Sequence, residues 1–209
     1  MNTVIFDCKN SLSDENVFIN CAKIIKSGGL VAFPTETVYG LGCNGFDCDA
    51  VMRLYKAKKR PPVKPISLCV PSLFVAEKVA VFSSLAKKLF SAFMPGPLTL
   101  VLPKRNIVPN IVTAGLDSVG IRVPSNSVAL KIAELCEVPI ALPSANLSGH
   151  GALTDGDAVV EELNGRVDVI VNCGKTEMGL ESTILSLVDS PKIIRQGALP
   201  YEIIKPYLE

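Results

Sequence analysis

The residues most able to do chemistry lie in Lys56-Ala57-Lys58-Lys59-Arg60-Pro61-Pro62-Val63-Lys64, which places five cations within nine residues. Two prolines stiffen the support. Arg offers a planar fork for phosphate oxygens and Lys a mobile point charge, so Lys58 and Arg60 together suit a polyphosphate. Cations also collect at helix C-termini to meet the dipole, so the cluster alone admits a solvated helix end. A second cation stands apart, Arg122 in Val119-Gly120-Ile121-Arg122-Val123-Pro124. On a strand its side chain opposes those of Ile121 and Val123. A charge on an apolar strand is costly unless paired, so either an internal acid or a ligand anion must meet it. Polar groups recur at expected strand ends: Ser144 and Asn146 in PSANLSG, Ser182 after Glu181, and Arg195 before Gln196-Gly197.

Three other motifs lack the context their chemistry needs. Gly40-Leu41-Gly42-Cys43-Asn44-Gly45 matches GxGxxG. However, PTETVY separates it from the preceding strand, and no acid occurs between residues 50 and 76 to hold a ribose. Gly174-Lys175-Thr176 resembles the end of a phosphate loop, yet Val169 stands where that loop needs its first glycine. His150, the only histidine, reads as a surface-loop residue between Gly149 and Gly151.

These groups need a frame. A first helix is expected from a Ser13 cap, with Asp14 and Glu15 in its first turn and Gly28-Gly29 ending it. Further helices are expected from Asp47 or Asp49 to Ala57, and over 73–79, 85–93, 128–136 and 158–163. Strands are expected over 30–33, 66–70, 98–102, 119–123, 139–142, 167–171, 183–188 and 192–195. Such alternation implies an α/β fold, a twisted, mixed or mostly parallel open sheet with flanking helices, with ligands at its strand ends.

With 209 residues and no linker or repeat, residues 1–209 read as one domain. The net charge of +1 denies the basic excess of a duplex-binding protein, so anion contacts must be local. Seven cysteines without a CxxC pair read as reduced core thiols. No apolar run approaches the length of a membrane span, and MNTVIFDCKN has no signal-peptide pattern, which implies a soluble, cytoplasmic protein without membrane partners.

The sequence resembles the YrdC-type threonylcarbamoyl-adenylate synthases. The resemblance rests on seven collinear segments: FPTETVYGLG (33–42), AKKRP with KPIS (57–67), MPGPLTLVL (94–102), GIRVP (120–124), PSANLSG (143–149), ESTIL (181–185) and RQGA (195–198). It implies a YrdC-like fold with a concave basic cleft, and an enzyme that joins L-threonine, bicarbonate and ATP into threonylcarbamoyl-AMP and pyrophosphate. A TsaD-type threonylcarbamoyl transferase and its complex would then modify tRNA position 37, an indirect link to tRNA. The K-x-R pair falls on Lys58 and Arg60 and the S-x-N pair on Ser144 and Asn146, implied at the ATP phosphates and catalytic centre. Lys64, Ser118, Ala152 and Arg195 are implied as further ATP contacts. Thr35, Thr37, Cys69, Arg122, Leu142 and Ser182 are implied to form the threonine site, with Arg122 on its carboxylate and Leu142 and Ala152 offering backbone groups. Cys69 stands where many members carry His. The chain ends soon after RQGA, so the form expected is the single-domain one, without the second domain of longer members. Mg2+ with ATP is the implied cofactor, held mainly through phosphates; no protein metal site is implied. The competing readings are a carbamoyl-phosphate module of the hydrogenase-maturation type and a non-catalytic RNA-binding protein.

Overall fold

The computed structural model describes residues 2–9 and 15–208; the expected Ser13 cap and Asp14 lie outside them. Ten strands form one sheet in the order β1-β8-β2-β3-β7-β4-β6-β5-β9-β10. In chain order these are β1 (Val4–Asp7), β2 (Val31–Pro34), β3 (Tyr39–Asn44), β4 (Leu68–Cys69) and β5 (Leu98–Pro103). They continue as β6 (Ser118–Arg122), β7 (Ile140–Ala141), β8 (Val169–Asn172), β9 (Thr183–Ser186) and β10 (Lys192–Arg195). Parallel and antiparallel neighbours mix: β1/β8, β2/β8, β4/β6 and β5/β9 run parallel, and the remaining pairs antiparallel.

The helices are α1 (Glu15–Lys26), α2 (Cys48–Ala57), α3 (Leu73–Val79), α4 (Ser84–Phe93), α5 (Asn110–Thr113), α6 (Ser127–Cys136), α7 (Gly156–Leu163) and α8 (Tyr201–Ile204). Caps fix several starts. Asp47, not Asp49, opens α2 by accepting from the amides of Asp49 and Ala50, and Ser72 and Ser83 open α3 and α4 through Val75 and Ala86.

The strands alternate between two cores, as their two-residue period requires. Leu30, Ala32, Leu68, Ile121, Ala141 and Ile170 join α2, α4 and α7 on one face. Val31, Phe33, Cys69, Ile140, Val169 and Val171 join α1 and α6 on the other. Among the described residues, no member of β5, β6 or β9 belongs to that second cluster. The helical cover therefore leaves this part of the face open.

The structure corrects several expected elements. The glycine-rich run after PTETV is a strand, β3, and its glycines serve close packing instead of a phosphate turn. A Cβ on Gly40 would lie 2.7 Å from Leu142 Cδ1, and one on Gly42 2.8 Å from both Ile140 and Phe33. The expected strands over 66–70 and 139–142 shrink to two residues each, because their flanks leave the ladder to line the site. β1 pairs at the sheet edge although its alternation is poor, with Val4 and Ile5 both exposed. Helices α5 and α8, four residues each, fall below the length at which periodicity shows.

Candidate active site

A cavity of about 160 Å³ opens over the uncovered part of the sheet. Its floor is built from alternate residues of adjacent strands: Cys69, Arg122, Thr99 and Ile184. Cys69 and Arg122 are partners in the β4/β6 register, which places thiol and guanidinium side by side. The walls come from Thr35 and Val38, the Arg60 and Pro65–Leu68 loop, Leu142–Ser144, and Glu181–Ser182 with Arg195. Segments far apart in sequence thus meet here.

Arg122 confirms the argument that its charge must be met. One terminal nitrogen donates to Thr37 Oγ1 at 2.8 Å, and its Nε donates to the Gly96 carbonyl at 3.3 Å. The same terminal nitrogen lies 2.8 Å from Glu36 Oε1, a charge contact without hydrogen-bond alignment. Glu36 is fully buried. The internal acid was a residue that motif matching passed over, although the lone acid of PTET and the lone base of GIRVP were the available signal. Thr37 itself is buried beneath the cavity and reaches it through Thr35, their hydroxyls 2.8 Å apart.

Arg60 lines the cavity, held by the Lys64 and Pro65 carbonyls. Lys58 does not line it, which corrects the picture of two cations reaching out together from the loop. Its side chain is 1% exposed, and its ammonium donates to the backbone carbonyls of Ser144 and Asn146. Burial, and then the neighbouring Arg60 charge, lower its pKa to about 8. Lys58 is therefore the prop of the PSAN loop from behind. In that loop Ser144 Oγ donates to Asn146 Oδ1 at 2.5 Å, while the Asn146 amide donates to the Leu147 and His150 carbonyls. His150 is an exposed loop residue 3.2 Å from Glu162.

Arg195 is the third guanidinium on the cavity wall, bonded to the Ser182 carbonyl and 2.6 Å from Glu181 Oε1. RQGA packs on ESTI because Gly197 has no side chain: a Cβ there would lie 2.2 Å from the Glu181 carbonyl. The Ser182 hydroxyl pairs with Thr99 Oγ1 at 2.9 Å, another site residue that the motifs did not single out. Burial pushes the Cys69 thiol up to about 12, so it is a neutral wall rather than a nucleophile.

Leu142 lines the cavity, and its amide donates to the Ser67 carbonyl. Lys64 and Ala152 stand outside it; Lys64 is exposed and Ala152 half-buried. Ser118 lines an adjoining, mostly apolar cavity of about 230 Å³, which shares Pro65, Ile66, Ser67 and Ile184 with the first.

The pattern of the Sua5/YciO/YrdC family, described as "Telomere recombination", matches residues 23–197. The chain belongs to this family. The Sua5/YciO/YrdC relatives include the threonylcarbamoyl-AMP synthase of Pyrococcus abyssi, 43% identical over 97% of this chain and 60% of the relative. The synthase of Bacillus subtilis is 42% identical over 88% of this chain and 54% of the relative. The chain therefore spans less than two thirds of these relatives' length. The crystal structure of P. abyssi Sua5 complexed with L-threonine superposes with a TM-score of 0.95 at 42% identity, covering 99% of this chain and 61% of that one. The mixed open sheet with flanking helices is the Sua5/YciO/YrdC fold.

Proposed function

We propose that this chain carries the adenylyl-transfer site of a threonylcarbamoyl-AMP synthase. The observation that carries the reading is the convergence of Arg60, Arg122 and Arg195 with Thr35, Ser144 and Ser182 on one cavity. Its relatives from P. abyssi and B. subtilis bear the synthase name.

The chemistry asks little of a nucleophile. The L-threonine amine reacts with bicarbonate to give the N-carboxylate and water, and a carbamate oxygen then attacks the α-phosphorus of ATP as pyrophosphate leaves. Two mutually repelling anions must be held in line and the departing charge stabilised. Arg122 takes the amino-acid carboxylate, within reach of the Thr35 and Ser182 hydroxyls. Arg60 and the Ser144 hydroxyl face the phosphates, while Lys58 fixes the loop that carries Ser144. The adjoining apolar cavity, with Ser118 on its wall, takes the nucleoside.

Mg2+ fits as an ion delivered by the nucleotide. Glu181 is the carboxylate on the cavity wall and it is engaged by Arg195, so phosphate and water oxygens would supply the coordination shell. When bound, the ion neutralises the charge that develops on pyrophosphate. We assign the product to a TsaD-type transferase that modifies tRNA position 37 in the cytoplasm. Among the described residues, no helix is long and apolar enough to cross a membrane.

Pyrophosphate release from ATP tests this reading. It should require both L-threonine and bicarbonate and fall sharply with serine. Turnover indifferent to the amino acid, or supported by carbamoyl phosphate instead, removes the proposal.

A further inference from the structure

The cations of the cavity are not equivalent in charge. Arg122 lies 2.8 Å from the fully buried carboxylate of Glu36, so in a low-dielectric setting the two largely cancel. Among the described residues, neither Arg60 nor Lys58 is in an ion pair: Lys58 donates to backbone carbonyls, and Arg60 to backbone carbonyls with the Tyr55 hydroxyl beside it. The nearby acids Glu181 and Glu162 have partners of their own in Arg195 and in the amide of Leu147. One end of the cavity therefore presents a neutral pair and the other presents net positive charge. Nothing in the positioning of Arg122 requires Glu36, since Thr37 and Gly96 already hold the guanidinium by two hydrogen bonds.

We infer that Glu36 is a specificity-determining residue that keeps phosphate off Arg122. By cancelling most of that arginine's field, it leaves a site strong enough for a singly charged carboxylate presented with good geometry. The same site is too weak to compete with the Arg60 end for a di- or triphosphate. The inference rests on the reading that one cavity accepts both a nucleotide and an amino acid. Without such a device, Arg60 and Arg122 on one small cavity, with Arg195 already engaged by Glu181, would let the polyanion bridge them and exclude the second substrate.

Calorimetric titration of L-threonine, with and without saturating inorganic pyrophosphate, tests it in wild type and in Glu36→Gln. In wild type the threonine Kd should stay within about threefold when pyrophosphate is added. In E36Q threonine alone should bind at least as tightly as to wild type, but about tenfold or more weaker with pyrophosphate, as loss of a neighbouring negative charge implies. Glu36→Asp, which keeps the charge, should behave as wild type. An E36Q protein as indifferent to pyrophosphate as wild type overturns the inference. Loss of threonine binding by E36Q without pyrophosphate also overturns it, in favour of a purely positional role. Should E36Q not fold, the wild-type titration decides: indifference supports the inference and competition refutes it. Failure of the functional reading is seen separately, as absence of threonine binding to wild type.

Discussion

Removing the Arg122 guanidinium should damage stability far more than removing a cation of similar exposure. Glu36 is fully buried and neither carboxylate oxygen accepts a hydrogen bond, so among the described residues the charge contact with Arg122 is what compensates it. Breaking a buried ion pair from one side leaves an uncompensated charge and costs about 3–5 kcal/mol. Arg122→Ala also loses the bonds to Thr37 and the Gly96 carbonyl, each worth about 1 kcal/mol net. For a chain of this size, each kcal/mol lowers the melting temperature by roughly 2–4 °C, so a drop on the order of 10 °C is expected. The double variant R122A/E36Q should recover most of the loss, because the orphaned charge is gone. The assay is guanidinium unfolding followed by far-ultraviolet circular dichroism, analysed as a double-mutant cycle. An R122A protein within about 1 kcal/mol of wild type, or a double variant no more stable than R122A, would falsify the pairing argument.

Other expectations follow from the same geometry. Arg60→Ala should lower stability by less than about 1 kcal/mol, since its partners are exposed loop carbonyls, yet largely abolish pyrophosphate release; near-normal turnover would remove Arg60 from the phosphate site. The Lys58 ammonium should titrate near pH 8 by lysine-selective NMR, and bound pyrophosphate should raise that midpoint by favouring the charged form. Since the folded value lies below the unfolded one, stability contributed by Lys58 grows as pH rises from about 8 towards 10.5 and is lost as pH falls through 8. A midpoint above 10 would show that Lys58 is not buried as described. Gly40→Ala should push Leu142 into the cavity, because the new Cβ would fall 2.7 Å from Leu142 Cδ1, and so raise KM for threonine more than for ATP. Equal changes in both constants would point to general damage.

Much of this was legible in the sequence because local rules governed it. The helix over 73–79 is found as expected, since Ser72 caps it and Ala80 already turns to extended backbone. Placing Arg122 opposite Ile121 and Val123 followed from strand period alone, and the demand for an internal acid or ligand anion proved physically sound. What stayed hidden depended on partners remote in sequence. Lys58 has a long stem, and only the fold determines that it turns inward to the carbonyls of Ser144 and Asn146. Glu36 lies in the connection between β2 and β3 and Arg122 at the end of β6, so their meeting required the β2 to β6 arrangement of the sheet. The glycines of β3 suggested no strand because their use, close approach to Leu142, Ile140 and Phe33, comes from the neighbouring strand and loop. Motif matching grouped Lys64 and Ala152 with the site residues, yet neither faces the cavity.

The central claim is that one cavity seats a nucleotide and an amino acid as neighbours. A crystal of this chain grown with L-threonine and a non-hydrolysable ATP analogue would test it most directly. The threonine carboxylate should lie on Arg122 beside Cys69, and the phosphate chain along Arg60 and Ser144, with the amino group facing the α-phosphorus. Density that put the phosphate chain outside the cavity that holds threonine, or the phosphates on Arg122, would contradict it.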